Sequence, residues 1–422
     1  MLAGMVDTIM LSSVGDNAVG AVGTANTYIG VFIIMFSVVS SGMIAVMTQY
    51  IGAKRVGVAY QARQLGAVFN LSIGIVLALF LVTFSGKILE VVGVAPLLMD
   101  YAKTYLRIVG GFCFLNALIP IFSSYLRAFG YTKQPLIATL LANVVNLCLN
   151  AVFLFGLHSG VAGVAIATVI SRALNLVIIV VAAKLLIKAG EDPERLKNRE
   201  VFAQIIKVGL PAALETALYN VAMTLTIRFL NQMDEAGLNV TARAYAAQIA
   251  NFSYCAGAAL AQANAIMTGW RIGEGDYAAC DRGTKKSACI GICIGAGLET
   301  IFALSANYLI RIFTDDPQMI ALVGKLLAID IVLEMGRVTN LVFGQALKTS
   351  GDALFTTIIA VVFMYICMVG GTWFFGIHLK LLAVGAYIGL ASDECVRAVC
   401  MFLRWQSGKW KTKSFIKHEN KI

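Results

Sequence analysis

Charge is what this 422-residue sequence has least of. Asp, Glu, Lys and Arg make up 13% of it, about half the share of a soluble domain. With 59% hydrophobic residues and a mean hydropathy of +0.81, that scarcity excludes a soluble globular chain and makes this an integral membrane protein. Histidine is nearly missing, at three residues, and the closest of the nine cysteines, Cys289 and Cys293, do not form a CxxC. Structural disulfides and zinc are therefore not expected. Walker loop, nucleophile elbow and metal-ligand cluster are all lacking, so the chain does not read as an enzyme. Gly295-Ala-Gly297 is a lone fragment in an apolar segment, a mark of close helix packing rather than a phosphate cradle. The first apolar stretch has no basic n-region, so no cleavable signal peptide is read there. The net charge of +10 comes without a nucleic-acid motif, and positive-inside loops account for it.

What the chain does have is a succession of charge-free runs. Spans read as Ala18–Ala53, Gln64–Gly86 and Ile108–Leu126. The run Gln134–Ser171 is too long for one helix and breaks at Gly156–Gly160 into a fifth span and a sixth ending at Ala183. After a charged stretch come Val208–Ile227, Ala244–Trp270, Ser287–Ile310, Leu326–Leu347, Ala353–Leu379 and Leu381–Leu403. With the opening segment that makes twelve. Lys54, Arg55, Arg63, Arg127, Lys133, Arg271, Lys285, Lys348 and the tail from Arg404 then share one side with the charged stretch, which the positive-inside rule makes the cytoplasm. Both termini are expected there, on a multi-pass protein of the cell membrane. The expected divisions are an N-terminal lobe (1–187), a linker (188–207), a C-terminal lobe (208–404) and a basic tail (405–422).

The opening segment Gly4–Ser12 carries Asp7, a carboxylate at membrane depth. Only fourteen residues precede Gly15, about 21 Å of helix against a hydrocarbon core of about 30 Å. The expectation is a truncated first helix, preceded in the full protein by about 15–30 further residues. Asp7 can serve as a proton site, as a structural hydrogen-bond acceptor, or sit at the interface.

Other polar groups fall within spans. Asn143, Asn146 and Asn150 share one face of the fifth span at i, i+3 and i+7, with Thr168 on the next. They can form an oxygen-lined cation site or simply bond neighbouring helices. Glu215 is the only charge in its span, four residues after Pro211, which can kink the helix. Asp330, Glu334 and Arg337 share a face of the tenth span. Asp393, Glu394 and Arg397 repeat the theme in the twelfth, as structural charge pairs more than as a transport site. Glu299 is left without an assigned role.

The sequence also repeats itself. YLRAFG (Tyr125–Gly130) aligns with ALKTSG (Ala346–Gly351), and IGAK (Ile51–Lys54) with IGEG (Ile272–Gly275), both 221 positions on. FGLH (Phe155–His158) meets FGIH (Phe375–His378) at 220. Six helices are an even number, so two copies enter the membrane in the same sense. The expected fold is all-α: twelve transmembrane helices in two parallel six-helix repeats.

At VDTIMLS, DNAVGAVG (Asp16–Gly23), TQYIGAK (Thr48–Lys54), YLRAFGYTKQP (Tyr125–Pro135), NVVNLCLNAVFLFG (Asn143–Gly156), GVAGVAIATVISR (Gly160–Arg172) and GQALKTSGD (Gly344–Asp352), the chain resembles the multidrug and toxic compound extrusion (MATE) family. The resemblance implies two six-helix lobes around a central cavity. It also implies export of organic cations or other drugs in exchange for H⁺ or Na⁺, without a cofactor and by a monomer. It matches the family's first-helix aspartate to Asp7, its N-lobe cation site to Asn146, Asn150 and Thr168, and a seventh-helix glutamate to Glu215. Many members have Asp where this chain has Asn150. The family's tenth-helix aspartate falls at Arg337, leaving Asp330 and Glu334 as substitutes by position. A lipid-linked precursor flippase of the same superfamily predicts a basic cavity instead, and a non-transporting scaffold or receptor predicts no membrane-depth carboxylates.

Overall fold

The computed structural model describes residues 10–13, 15–91, 93–187, 194–234 and 237–416. Every regular element among them is helical, as expected where lipid offers backbone N–H and C=O groups no partner and helices satisfy them internally. The packing divides the chain into two compact units, 1–47 with 55–206, and 48–54 with 207–422.

The first unit is built from α1 (Asp16–Gly52), α2 (Val56–Val91), α3 (Pro96–Gly111), α4 (Phe114–Ala128), α5 (Lys133–Ala151) and α6 (Gly160–Leu186). The span read at Ile108–Leu126 is in fact the pair α3 and α4, bent by 45°. The break follows the Gly110-Gly111 pair, where the helix loses side-chain support. Gly66, Asn70 and Gly74 place a small or amide group every fourth residue on the buried side of α2. The two glycines let Met43 and Phe114 approach to contact. Between them, Asn70 Nδ2 donates to Phe36 O at 3.2 Å and Ala117 O at 2.9 Å, tying three helices together. Beyond the sixth helix, Leu196 is held by Gln61 and Glu194 by Arg55.

The second unit contains α7 (Asn198–Asn231) from Lys207 on, α8 (Leu238–Glu274), α9 (Tyr277–Leu304), the short α10 (Ala306–Ile310), α11 (Pro317–Ser350), α12 (Ala353–Phe363) and α13 (Leu382–Gln406). Helix α7 starts at Asn198, so ten residues expected in the linker form its first turns, and it runs on through Pro211. The expected tail also folds in part. Trp410 is buried and stacks on Trp405 at 4.1 Å, and Ser414 and Phe415 bond Gln49 Oε1.

The repeat is visible in the backbone of each unit. Gly130 and Gly351 both adopt positive φ in the left-handed conformation that glycine supplies at a helix end. The residues after them bond back identically, Tyr131 N to Leu126 O at 2.9 Å and Asp352 N to Leu347 O at 3.0 Å. Lys54 and Gly275, again 221 apart, also share positive φ. Helix α5 runs into a π-helical turn at Val152–Gly156, and α12 ends in π-helical turns through Thr372–His378. The two FG(L/I)H motifs sit there. Among the described residues the fold is all-helical, with about twelve helices, as expected from the sequence, and the same backbone marks recur 221 residues apart.

Among the described residues, seven helices pass as spans on length and apolarity, or eight with the bent pair. The rods that fail are α8, whose charges lie near its ends around a middle rich in small and polar residues, and α11 and α13, which carry several charges inside otherwise apolar helices. That makes the second unit's interior the place to look for chemistry.

Candidate functional site

Helix α11 presents Asp330, Glu334 and Arg337 over two turns. Asp330 is 2% exposed and Glu334 fully buried. Arg337 Nη1 donates to Glu334 Oε2 at 2.8 Å, and its Nε lies 3.7 Å from Glu394 Oε1. Its guanidinium also sits 5.7 Å from the Tyr254 ring centroid. Glu394 continues the chain to Arg397 at 2.9 Å, and Arg397 grips Asp393 with two bonds of 3.0 and 2.6 Å. Asn340 Nδ2 adds a bond to Glu394 Oε2 at 2.9 Å. The two clusters read separately in the sequence thus form one alternating chain, Glu334–Arg337–Glu394–Arg397–Asp393. Alternation is how charges are tolerated at low dielectric, since each must be paired.

Two carboxylates lie outside that alternation. Asp330 has one oxygen, Oδ2, without a hydrogen-bond partner. Glu299, on α9, is completely buried, and neither of its oxygens has one. The buried stripe of α9 runs Thr284, Ala288, Gly291, Gly295, Glu299. Gly291 lies against Val338 and Gly295 against Glu334. Since α9 meets α11 with its numbering reversed, the next turn brings Glu299 to Asp330. Ser253 of α8, fully buried, sets its hydroxyl beside Glu299. Sequence reasoning left Glu299 unassigned. The available signal was its place four residues beyond Gly295, at the end of a stripe of small residues.

Glu215 is not isolated, as its span suggested. Lys348 Nζ lies 2.9 Å from both of its oxygens, and Thr357 Oγ1 donates at 3.3 Å. The partner comes from α11, 133 residues away, beyond the reach of any periodicity argument.

In the first unit Asn146 and Asn150 are buried, and Asn150 Nδ2 points to Asn146 Oδ1 at 3.4 Å. Thr168 donates its hydroxyl to Val164 O at 2.8 Å. Asn143 is exposed and does not join them. Every described carboxylate of this unit whose side chain is placed is exposed: Glu90, Asp100, Glu194 and Glu200. Asp7 lies outside the described residues. Among the described residues no group of three or more His, Cys, Asp or Glu is arranged to hold a metal ion.

A family model described as MatE matches residues 1–152 and 211–373. An uncharacterized transporter, YisQ, of Bacillus subtilis is 33% identical over 98% of this chain and 92% of its own. A probable multidrug resistance protein NorM of Thermotoga maritima is 25% identical over 99% of this chain and 91% of its own. Among solved structures, a MATE crystal structure in the bent conformation superposes with a TM-score of 0.88 at 20% identity, covering 97% of this chain and 92% of the other.

Proposed function

Because the chain belongs to the MatE family, a family of membrane transporters, we propose that it is a secondary active exporter. It moves small molecules, organic cations first among them, out of the cell in exchange for H⁺ or Na⁺. The observation that carries this reading is the excess of buried carboxylate in the second unit. Of Glu299, Asp330, Glu334, Glu394 and Asp393, the last three pair with Arg337 and Arg397, and the first two have no ion pair among the described residues. An intramembrane site that is net acidic attracts cations and releases them when protonated or exchanged. Relatives named for multidrug resistance support the substrate class.

In this reading the buried pocket that holds Asp330 and Glu334 carries coupling in the second unit, and the Glu215–Lys348 pair opens and closes with it. Asn146, Asn150 and Thr168, with Asp7, supply oxygen ligands in the first. An ion moved through 100 mV gains about 2.3 kcal/mol, enough for a substrate gradient of about fiftyfold. The chain acts as a monomer in the cell membrane, with its basic loops cytoplasmic.

The test is efflux of a panel of fluorescent cations from cells expressing the protein, with the pH and Na⁺ gradients collapsed separately. Efflux should fall when one of the two gradients is removed. Retention of every dye at control levels, or efflux indifferent to both gradients, overturns the proposal.

A further inference from the structure

One group in the second unit has no role in the charge chain and no partner of its own. Glu299 is fully buried, and both its oxygens lack a hydrogen-bond donor. The groups facing it are known from every helix packed there. From α8 comes the Ser253 hydroxyl, from α11 come Asp330, Glu334 and Arg337, and from α13 comes Tyr387, which lies within range of both Asp330 and Glu299. Glu394 acts on Asp330 and Glu334. The single cation in this set, Arg337, already bonds Glu334 and pairs Glu394.

Three atoms around Glu299 are themselves buried and open: Ser253 Oγ, Asp330 Oδ2 and Glu334 Oε1. All are acceptors, and of them only the serine hydroxyl can also donate. An ionised Glu299 in this place would be a buried anion beside two others, with only the Ser253 hydroxyl able to donate to it and with no counterion of its own, an arrangement proteins rarely tolerate. A bound metal cation is a poor solution. Hard cations take about six oxygens or more, and the described residues offer no such group. The glycine contacts of α9 with α11 leave little room beside Glu334. A proton needs one oxygen and turns Glu299 into the donor that the three open acceptors lack.

We propose that Glu299 is the proton-binding residue of the second unit, holding an exchangeable proton at neutral pH in a pocket shared with Asp330, Glu334 and Ser253. This rests on the exporter reading, for which it names the ion and the atom in this unit. The test reads the proton itself and not transport, so the two can fail separately.

Infrared spectra of the full chain in lipid nanodiscs at neutral pH are compared for the wild type, Glu299→Gln and Asp330→Asn. Gln is isosteric with the neutral acid and should fold as the wild type does. Glu299→Gln should lose protonated-carboxyl carbonyl absorbance equal to one group, whereas Asp330→Asn should keep it. The wild-type band should shift in D₂O and stay unchanged when Na⁺ replaces K⁺. No loss in Glu299→Gln, loss of the band in Asp330→Asn, a band that never exchanges, or one abolished by Na⁺ each overturns the assignment. Should Glu299→Gln not fold, Asp330→Asn decides: a retained, exchanging band supports the site, and a lost one overturns it.

Discussion

The two units carry the same backbone marks 221 residues apart and opposite chemistry inside. The first buries amides and hydroxyls, among them Asn70, Asn146, Asn150, Ser171 and Asn175, and no described carboxylate. The second buries Glu299, Asp330, Glu334 and Asp393, with Arg397. A neutral amide can be satisfied by one neighbouring carbonyl, as Asn70 is. A buried charge needs a counter-charge and further bonds, so the second unit had to build a chain of five ionic residues. One scaffold thus tolerates both interiors, and the acidic one is far more sensitive to the loss of a single member.

The sharpest break of that contrast is Arg337→Ala. It leaves Glu334 and Glu394 without their shared cation, and the expected loss is about 3–5 kcal/mol. Asn70→Ala in the first unit should lose about 1–3 kcal/mol. Thermal unfolding of both variants in the same detergent measures the difference, and equal losses would remove the contrast.

The second comparison is functional. Asp330→Asn should lower gradient-driven dye efflux at least tenfold, about 1.4 kcal/mol, at matched expression. Asn150→Ala should reduce it less, and Asn150→Asp should add Na⁺ sensitivity by restoring an anionic ligand. An Asn150→Ala defect as deep as that of Asp330→Asn would place the coupling in the first unit instead.

Next comes the Glu215–Lys348 pair, whose counterpart region in the first unit has Arg127 in place of Lys348. Glu215→Gln and Lys348→Met should each destabilise. Together they should show a coupling of about 1 kcal/mol or more in a double-mutant cycle. Additive effects would mean that the pair is a contact without energetic weight.

The smallest effect is expected at Asp234, in the turn before α8. Slight burial opposes its ionisation, but bonds from Asn239 and from the Leu238 and Asn239 N–H groups hold its carboxyl below the usual range. The equivalent place in the first unit, 221 residues earlier, is Ser13. A depressed carboxylate contributes stability that is present above its unfolded value and fades as pH falls through the folded one. Asp234→Asn should therefore lose only a few tenths of a kcal/mol at neutral pH, since solvent screens this little-buried carboxylate, and nothing in strong acid. A difference that persists in acid would assign the effect to packing.

Much of this was legible in the sequence. Charge-free runs separated by basic loops locate helices, because lipid leaves the backbone no alternative. The repeated YLRAFG and ALKTSG motifs give the doubling, because the same helix end needs the same glycine. The faces of Asp330, Glu334 and Arg337, and of Asp393, Glu394 and Arg397, follow from 3.6 residues per turn. Helical periodicity also grouped Asn143 with Asn146 and Asn150, of which Asn143 is exposed and the other two are buried.

Only tertiary structure decided which faces meet. Sequence spacing sets the angle of a residue about its own helix, not the rotation and register of one helix against another. The pairing of Glu215 with Lys348, the joining of two charge clusters through Arg337 and Glu394, and the placing of Glu299 beside Asp330 all depend on that register. In the last case Gly291 and Gly295 set it, by letting α9 and α11 come close enough for carboxylates on different helices to share one pocket.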